Sequence, residues 1–135
     1  MTSAAGFGVR DARTTWRAYV DLARPFTLVA PALGFISGAL TAVGAAPRES
    51  WSPSLLVAPL IGSTMAALLN AGNNALNQIY DLEIDRVNKP RRPLPSGRLT
   101  IGQAWGFTVI TYVAALILAW LVVPGPSLTV GVTWP

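Results

Sequence analysis

Three long stretches of this chain carry no charged residue: between Arg24 and Arg48, between Glu49 and Asp81, and from Arg98 to the C-terminus. They hold 23, 31 and 37 residues, and a helix that crosses a bilayer needs about 20 mostly apolar residues. Each run therefore predicts one crossing, over about 25–43, 54–85 and 101–123. Punctuation supports these limits. Ser52 followed by Pro53 reads as a cap and first-turn proline for the second helix. Pro90, Pro93 and Pro95 exclude helix beyond about Asp85. Thr100 and Gln103 have capping-box spacing before the third run, which stops at Pro124-Gly125-Pro126. The remaining SLTVGVTWP is too short to cross. The first 24 residues read as a short lead-in, amphipathic around Trp16 and Tyr19, and Gly34 and Gly38 have the spacing that lets another helix approach closely. The expected fold class is an all-α polytopic transmembrane helical bundle with three spans in this chain.

The second run ends in an unusual way. At about 100° per residue, Asn70, Asn73, Asn74, Asn77, Asp81 and Asp85 fall within a sector of roughly 120°. Glu83 and Arg86 lie on nearly the opposite side and read as solvated charges. An ionisable group near mid-membrane costs about 2.5–3.5 kcal/mol on insertion scales, so a polar stripe of this size predicts a polar cavity, with Asn70, Asn73 and Asn74 lining it.

Charge placement gives the orientation. Arg10, Arg13, Arg17 and Arg24 precede the first run, and Arg86, Lys89, Arg91, Arg92 and Arg98 follow the second, whereas the intervening loop carries only Arg48 and Glu49. Because cations mark the cytoplasmic side, the N-terminus and the 81–98 segment are expected inside and Arg48 outside. The expectation is an integral protein of the cell (inner) membrane with its active-site loop facing the cytoplasm. The net charge of +4 thus encodes topology, and no nucleic-acid partner is expected. Val43-Gly44-Ala45 could pass for a signal-peptide cleavage site, but the apolar region is too long.

The chain contains neither cysteine nor histidine, so any metal must be held by oxygen. Asn77, Asp81 and Asp85 are spaced by four, which stacks an amide and two carboxylates on successive turns. Magnesium prefers a few carboxylates, waters and substrate phosphates to a closed cage. An EF-hand does not fit, since the alternate-residue ligands and central glycine are missing. Lys89, Arg91 and Arg92 follow in a proline-stiffened loop, where arginine can grip a diphosphate through paired hydrogen bonds. Acids for magnesium beside bases for phosphate, on an apolar wall, imply a lipid diphosphate. The competing readings are interhelical hydrogen-bond glue for the amides and plain topogenic charge for the cations.

Asn77-x-x-x-Asp81-x-x-x-Asp85, Arg86 and Arg92-Pro93-Leu94-Pro95-Ser96-Gly97, with Arg24-Pro25 opening the first span, resemble the first aspartate-rich motif and following loop of the UbiA superfamily of intramembrane prenyltransferases. The resemblance covers about residues 20–123. It implies a nine-span helical bundle in which a magnesium-bound prenyl diphosphate loses its diphosphate and the allylic cation alkylates an acceptor. By the same resemblance Asn77, Asp81 and Asp85 are the magnesium and diphosphate residues, and Arg24 joins Lys89, Arg91 and Arg92 in binding diphosphate. The implied partners are a prenyl diphosphate, an aromatic or glycerol-phosphate acceptor and membrane lipids. The wording is closest to members acting on homogentisate-like phenols, chlorophyllides or isoprenyl-glycerol phosphate.

One departure matters. The family carries a second aspartate-rich motif, and no acid follows Asp85 here. Residues 1–135 are therefore expected to form the N-terminal part of a prenyltransferase membrane domain, inactive when isolated. The alternative function is a non-catalytic membrane fragment or a piece of an ion or solute transporter using the stripe as a path.

Overall fold

The computed structural model describes residues 12–45 and 54–122. These residues form five helices and no strand: α1 (Ala12–Ala23), α2 (Pro25–Ala45), α3 (Ser54–Tyr80), α4 (Leu82–Asn88) and α5 (Ile101–Val122). The Ser52-Pro53 cap, the Arg48 loop, Arg10 and the segment from Pro124 onward lie outside the described residues.

The long helix α3 is the axis of the assembly, packing on α5, α2 and α1. Small side chains permit this. Ala18, Ala75 and Ala104 are fully buried and, with Leu22, Leu82, Leu94 and Leu99, form the core. Tyr19 of α1 stacks on Phe107 of α5 at 5.9 Å between ring centroids, and Tyr80 meets Trp105 edge-on. The core therefore sits at the end of the bundle where α1, the C-terminal part of α3, α4 and the start of α5 converge. Elsewhere the exterior is apolar, with Phe26, Leu40, Leu116 and Trp120 all exposed.

Close approach occurs at glycines other than Gly34 and Gly38, around which a Cβ would meet nothing within 4 Å. A Cβ on Gly62 would lie 2.1 Å from the Phe35 ring of α2, and one on Gly72 would lie 2.6 Å from the Tyr112 ring of α5. The glycines that admit a neighbour are thus on α3. Gly34 and Gly38 line an open apolar groove of about 620 Å³ between α2 and α3, together with Pro31 and Pro59.

Two helix ends follow from identifiable chemistry. Thr100 and Gln103 form the expected reciprocal cap: the Thr100 amide donates to Gln103 Oε1 at 2.9 Å, and the Gln103 amide donates to Thr100 Oγ1 at 3.2 Å. α1 and α2 are separated by Arg24, whose φ of 54° is left-handed. Pro25 disfavours the helical region for the residue before it, and the two helices diverge by 48°.

The expected continuous second helix to Asp85 is corrected at Asp81. There φ is −86° and ψ is 8°, the sparsely populated bridge region between helix and strand, so α3 ends at Tyr80 and α4 begins at Leu82. Hydrogen bonding is nonetheless carried across, since the Asp81 amide donates to Asn77 O and the Asp85 amide to Asp81 O, both at 2.8 Å. Among the described residues α5, over Ile101–Trp120, is long and apolar enough to cross a membrane, and the bent α1–α2 pair qualifies if taken as one span.

Candidate diphosphate pocket

The polar stripe divides along its length. Relative to Asn70, the directions of Asn74, Asp85 and Gln78 fall at about 40°, 60° and 80°, and those of Asn73, Asn77 and Asp81 between about −60° and 20°. The first three are buried and the second three exposed. The border between the protein interior and the open face therefore runs through the sector expected to be one surface.

The buried half is committed to the protein. Asn74 Nδ2 donates to Ala23 O at 2.9 Å and to Thr27 Oγ1 at 2.7 Å, Asn70 Nδ2 donates to Thr27 O at 2.7 Å, and Gln78 Nε2 donates to Leu22 O at 3.1 Å. Of the backbone acceptors, Leu22 O and Ala23 O are left open by the α1–α2 break, and Thr27 O is left open because Pro31, four residues on, has no amide hydrogen. On the other side, Asn73 Oδ1 accepts the Tyr112 hydroxyl at 2.5 Å. Asn77 and Asp81 are exposed, and their side chains have no partner among the described residues.

Asp85 is 1% exposed and anchors the loop that follows it. Its Oδ2 accepts from Arg92 Nη1, and its Oδ1 lies 3.7 Å from Lys89 Nζ. The loop is shaped by two turns with proline in the second position, a preferred site for its fixed φ. The Arg92 amide closes the first on Lys89 O across Pro90, and the Gly97 amide closes the second on Leu94 O across Pro95, both at 3.0 Å. Gly97 takes φ 71°, which costs glycine little. Leu94 and Leu99 pin the loop into the core. Glu83 and Arg86 pair with each other on the exposed side of α4 at 2.6 Å.

These elements enclose a pocket of about 590 Å³ in which five cations converge: Arg24, Lys89, Arg91, Arg92 and Arg98. Asp21 and Gln78 also line it, whereas Asn77 and Asp81 do not. Arg98 bridges the pocket wall, donating to Asp21 Oδ2 at 2.6 Å and to Arg91 O at 3.0 Å. Arg92 and Lys89 face Asp85, while the Arg24 and Arg91 guanidinium groups have no partner among the described residues. Two uncommitted arginines beside three partly neutralised cations leave the pocket with an excess of positive charge. The Gln78 Oε1 is buried and unpartnered among the described residues.

The family model described as the UbiA prenyltransferase family matches residues 22–134. The chain belongs to the UbiA prenyltransferase family. Digeranylgeranylglyceryl phosphate synthase of Sulfolobus acidocaldarius is 33% identical over 104 residues, covering 76% of this chain and 34% of that protein. The same-named proteins of Methanopyrus kandleri and Ignicoccus hospitalis are 40% and 42% identical over 84 and 88 residues, covering 62% and 65% of this chain and 28% and 26% of their own. A solved structure described as giving insight into digeranylgeranylglyceryl phosphate synthase in membranes superposes with a TM-score of 0.69 at 29% identity, covering 79% of this chain and 36% of that one. The chain thus spans about a third of the length of the curated relatives it matches.

The sequence grouped Lys89, Arg91 and Arg92 by their loop, the family resemblance added Arg24, and all four line the pocket. Sequence reasoning did not single out Gln78, although this residue lies four positions after Asn74 and was visible as the next step of the same face. It also read Arg98 only as topology. Its partner Asp21 is 77 residues away, and nothing local announces that pairing.

Proposed function

We propose that this chain contributes the diphosphate-binding part of an intramembrane enzyme that transfers a prenyl group from a prenyl diphosphate to a lipid acceptor bearing glycerol phosphate. The observation that carries the reading is the convergence of Arg24 and Arg91, uncommitted among the described residues, on a pocket braced by Asp85, Lys89 and Arg92. The names of the relatives favour a geranylgeranyl donor and a prenylated glycerol phosphate acceptor over the phenolic and chlorophyllide acceptors. The enzyme is read as an integral membrane protein of about nine spans, with α2, α3 and α5 as three of them and the pocket on the cytoplasmic side.

The donor set is compatible with magnesium. Among the described residues no cluster of three or more histidine, cysteine, aspartate or glutamate side chains exists, so no closed cage is available, which suits an ion that keeps water and phosphate in its shell. Asn77 and Asp81, exposed and unpartnered among the described residues, would hold it, while Asp85, buried and paired with Arg92 and Lys89, braces the loop beside them. When bound, magnesium supplies positive charge against the leaving diphosphate. Arg24 and Arg91 hold the phosphate oxygens by charge-assisted hydrogen bonds. The apolar surfaces of α2, α3 and α5 keep water from an allylic cation.

The test uses the chain in lipid nanodiscs with labelled geranylgeranyl diphosphate. Saturable binding is expected to require magnesium, to be competed by inorganic pyrophosphate, and to fall in Asp81→Ala. Binding that is indifferent to magnesium and pyrophosphate would overturn the reading in favour of passive membrane partitioning.

A further inference from the structure

Arg24 is the one described non-glycine residue with a positive φ. The left-handed region crowds the Cβ of an L-residue against the next carbonyl, so other contacts must hold it there. Beyond the local bonds of Thr27, those contacts come from α3. In an unbroken helix Ala23 O would accept the Thr27 amide, but that amide is spent on Arg24 O at 2.9 Å, and the Thr27 hydroxyl donates to the same oxygen at 2.9 Å. Ala23 O instead receives Asn74 Nδ2, Leu22 O receives Gln78 Nε2, and Thr27 O receives Asn70 Nδ2. Residues 70, 74 and 78 of α3 thereby grip the backbone on both sides of Arg24 at intervals of one turn.

We propose that this amide ladder positions Arg24, and that Asn70 and Asn74 set the affinity for diphosphate without touching it, by fixing the left-handed residue whose guanidinium reaches the pocket. The proposal rests on the reading of the pocket as a diphosphate site. Asn74 and Asn70 do not line that pocket, whereas Arg24 does. Thr27 is the coupling element, because its hydroxyl donates to Arg24 O and accepts from Asn74. Leu22 O and Ala23 O, the two carbonyls that the break at Arg24 opens, are both taken by this ladder.

The test is a double-mutant cycle on binding of magnesium geranylgeranyl diphosphate by the chain in lipid nanodiscs. Arg24→Ala is expected to weaken binding at least about tenfold, as loss of a charge-assisted contact should. Asn74→Ala is expected to weaken it by about fivefold, and Asn74→Ala in the Arg24→Ala background by less than about twofold, since its effect passes through the missing side chain. Ser63→Ala is the control. It removes a comparable bond from α3 to a carbonyl of α2, Ser63 Oγ to Ala32 O at 3.1 Å, and should leave affinity within about twofold. If the Asn74→Ala loss is undiminished without Arg24, or Ser63→Ala matches it, the ladder is merely structural and the proposal is wrong. If Arg24→Ala binds as the unaltered chain does, the pocket is not a diphosphate site, and the proposal falls with that reading.

Discussion

Asn74, Gln78 and Asp85 differ from Asn73, Asn77 and Asp81 by a small rotation in projection along α3 and α4, yet the first set is buried and the second exposed. On the buried side the Asn74 and Gln78 amides and both Asp85 oxygens meet partners: Asn74 and Gln78 close a broken helix, and Asp85 ties down a loop. On the exposed side Asn77 and Asp81 stay uncommitted among the described residues. The difference teaches that a polar stripe in an apolar helix can be split between residues committed to the scaffold and residues left open, with the border set by what packs against it.

The sharpest way to separate the two halves is to remove one acid from each. Asp85→Ala leaves Arg92, 20% exposed at its side chain, facing a buried gap, and breaking such a pair costs on the order of 3–5 kcal/mol. A clear drop in thermal stability in lipid, followed by circular dichroism, is expected. Asp81→Ala is expected to shift stability by less than about 0.5 kcal/mol while abolishing magnesium-dependent binding. Equal destabilisation by both variants would erase the distinction.

A smaller effect is expected from the amides. Asn74→Ala strands Ala23 O beside a buried site, a loss of about 1–3 kcal/mol, whereas Asn77→Ala should be close to neutral in the same melt. Smaller again are the glycines. Gly72→Ala drives a methyl into Tyr112, whose hydroxyl is tethered to Asn73, and overpacking of about 1–3 kcal/mol is offset by roughly 1 kcal/mol of helix propensity. Gly62→Ala would put a Cβ 2.1 Å from the Phe35 ring, which is 41% exposed and must move to admit it, with overpacking of about 1–3 kcal/mol again offset by roughly 1 kcal/mol of helix propensity. At the bottom of the scale, Glu83→Ala breaks only an exposed pair with Arg86 and should change neither stability nor ligand binding.

Much of this arrangement was legible before any coordinates. Charge-free runs and prolines located the main helices, and the Thr100–Gln103 spacing named a cap that the structure contains. The proline-stiffened loop brought Lys89, Arg91 and Arg92 into one hypothesis, since lysine and arginine clustered near acids point to anions, and the family resemblance added Arg24. What stayed hidden depends on partners distant in sequence. Helical projection cannot say that α1 covers Asn74 and Gln78 but not Asn77, because coverage depends on the 48° bend at Arg24. Nor can it find the Asp21–Arg98 pair, or show that Gly62 and Gly72 rather than Gly34 and Gly38 admit a neighbour. The break at Asp81 was hidden as well, because its flanking residues have ordinary helical character and its hydrogen bonds continue.

The central claim is that Arg24 and Arg91, held free by a scaffold that commits the surrounding charges, bind a diphosphate. Titration of magnesium geranylgeranyl diphosphate into the chain in nanodiscs, with Arg24→Ala/Arg91→Ala beside the unaltered protein, tests it most directly. Losing two charge-assisted contacts should weaken affinity by roughly 100-fold or more, with thermal stability held within about 1 kcal/mol. Unchanged affinity in the double variant would contradict the account.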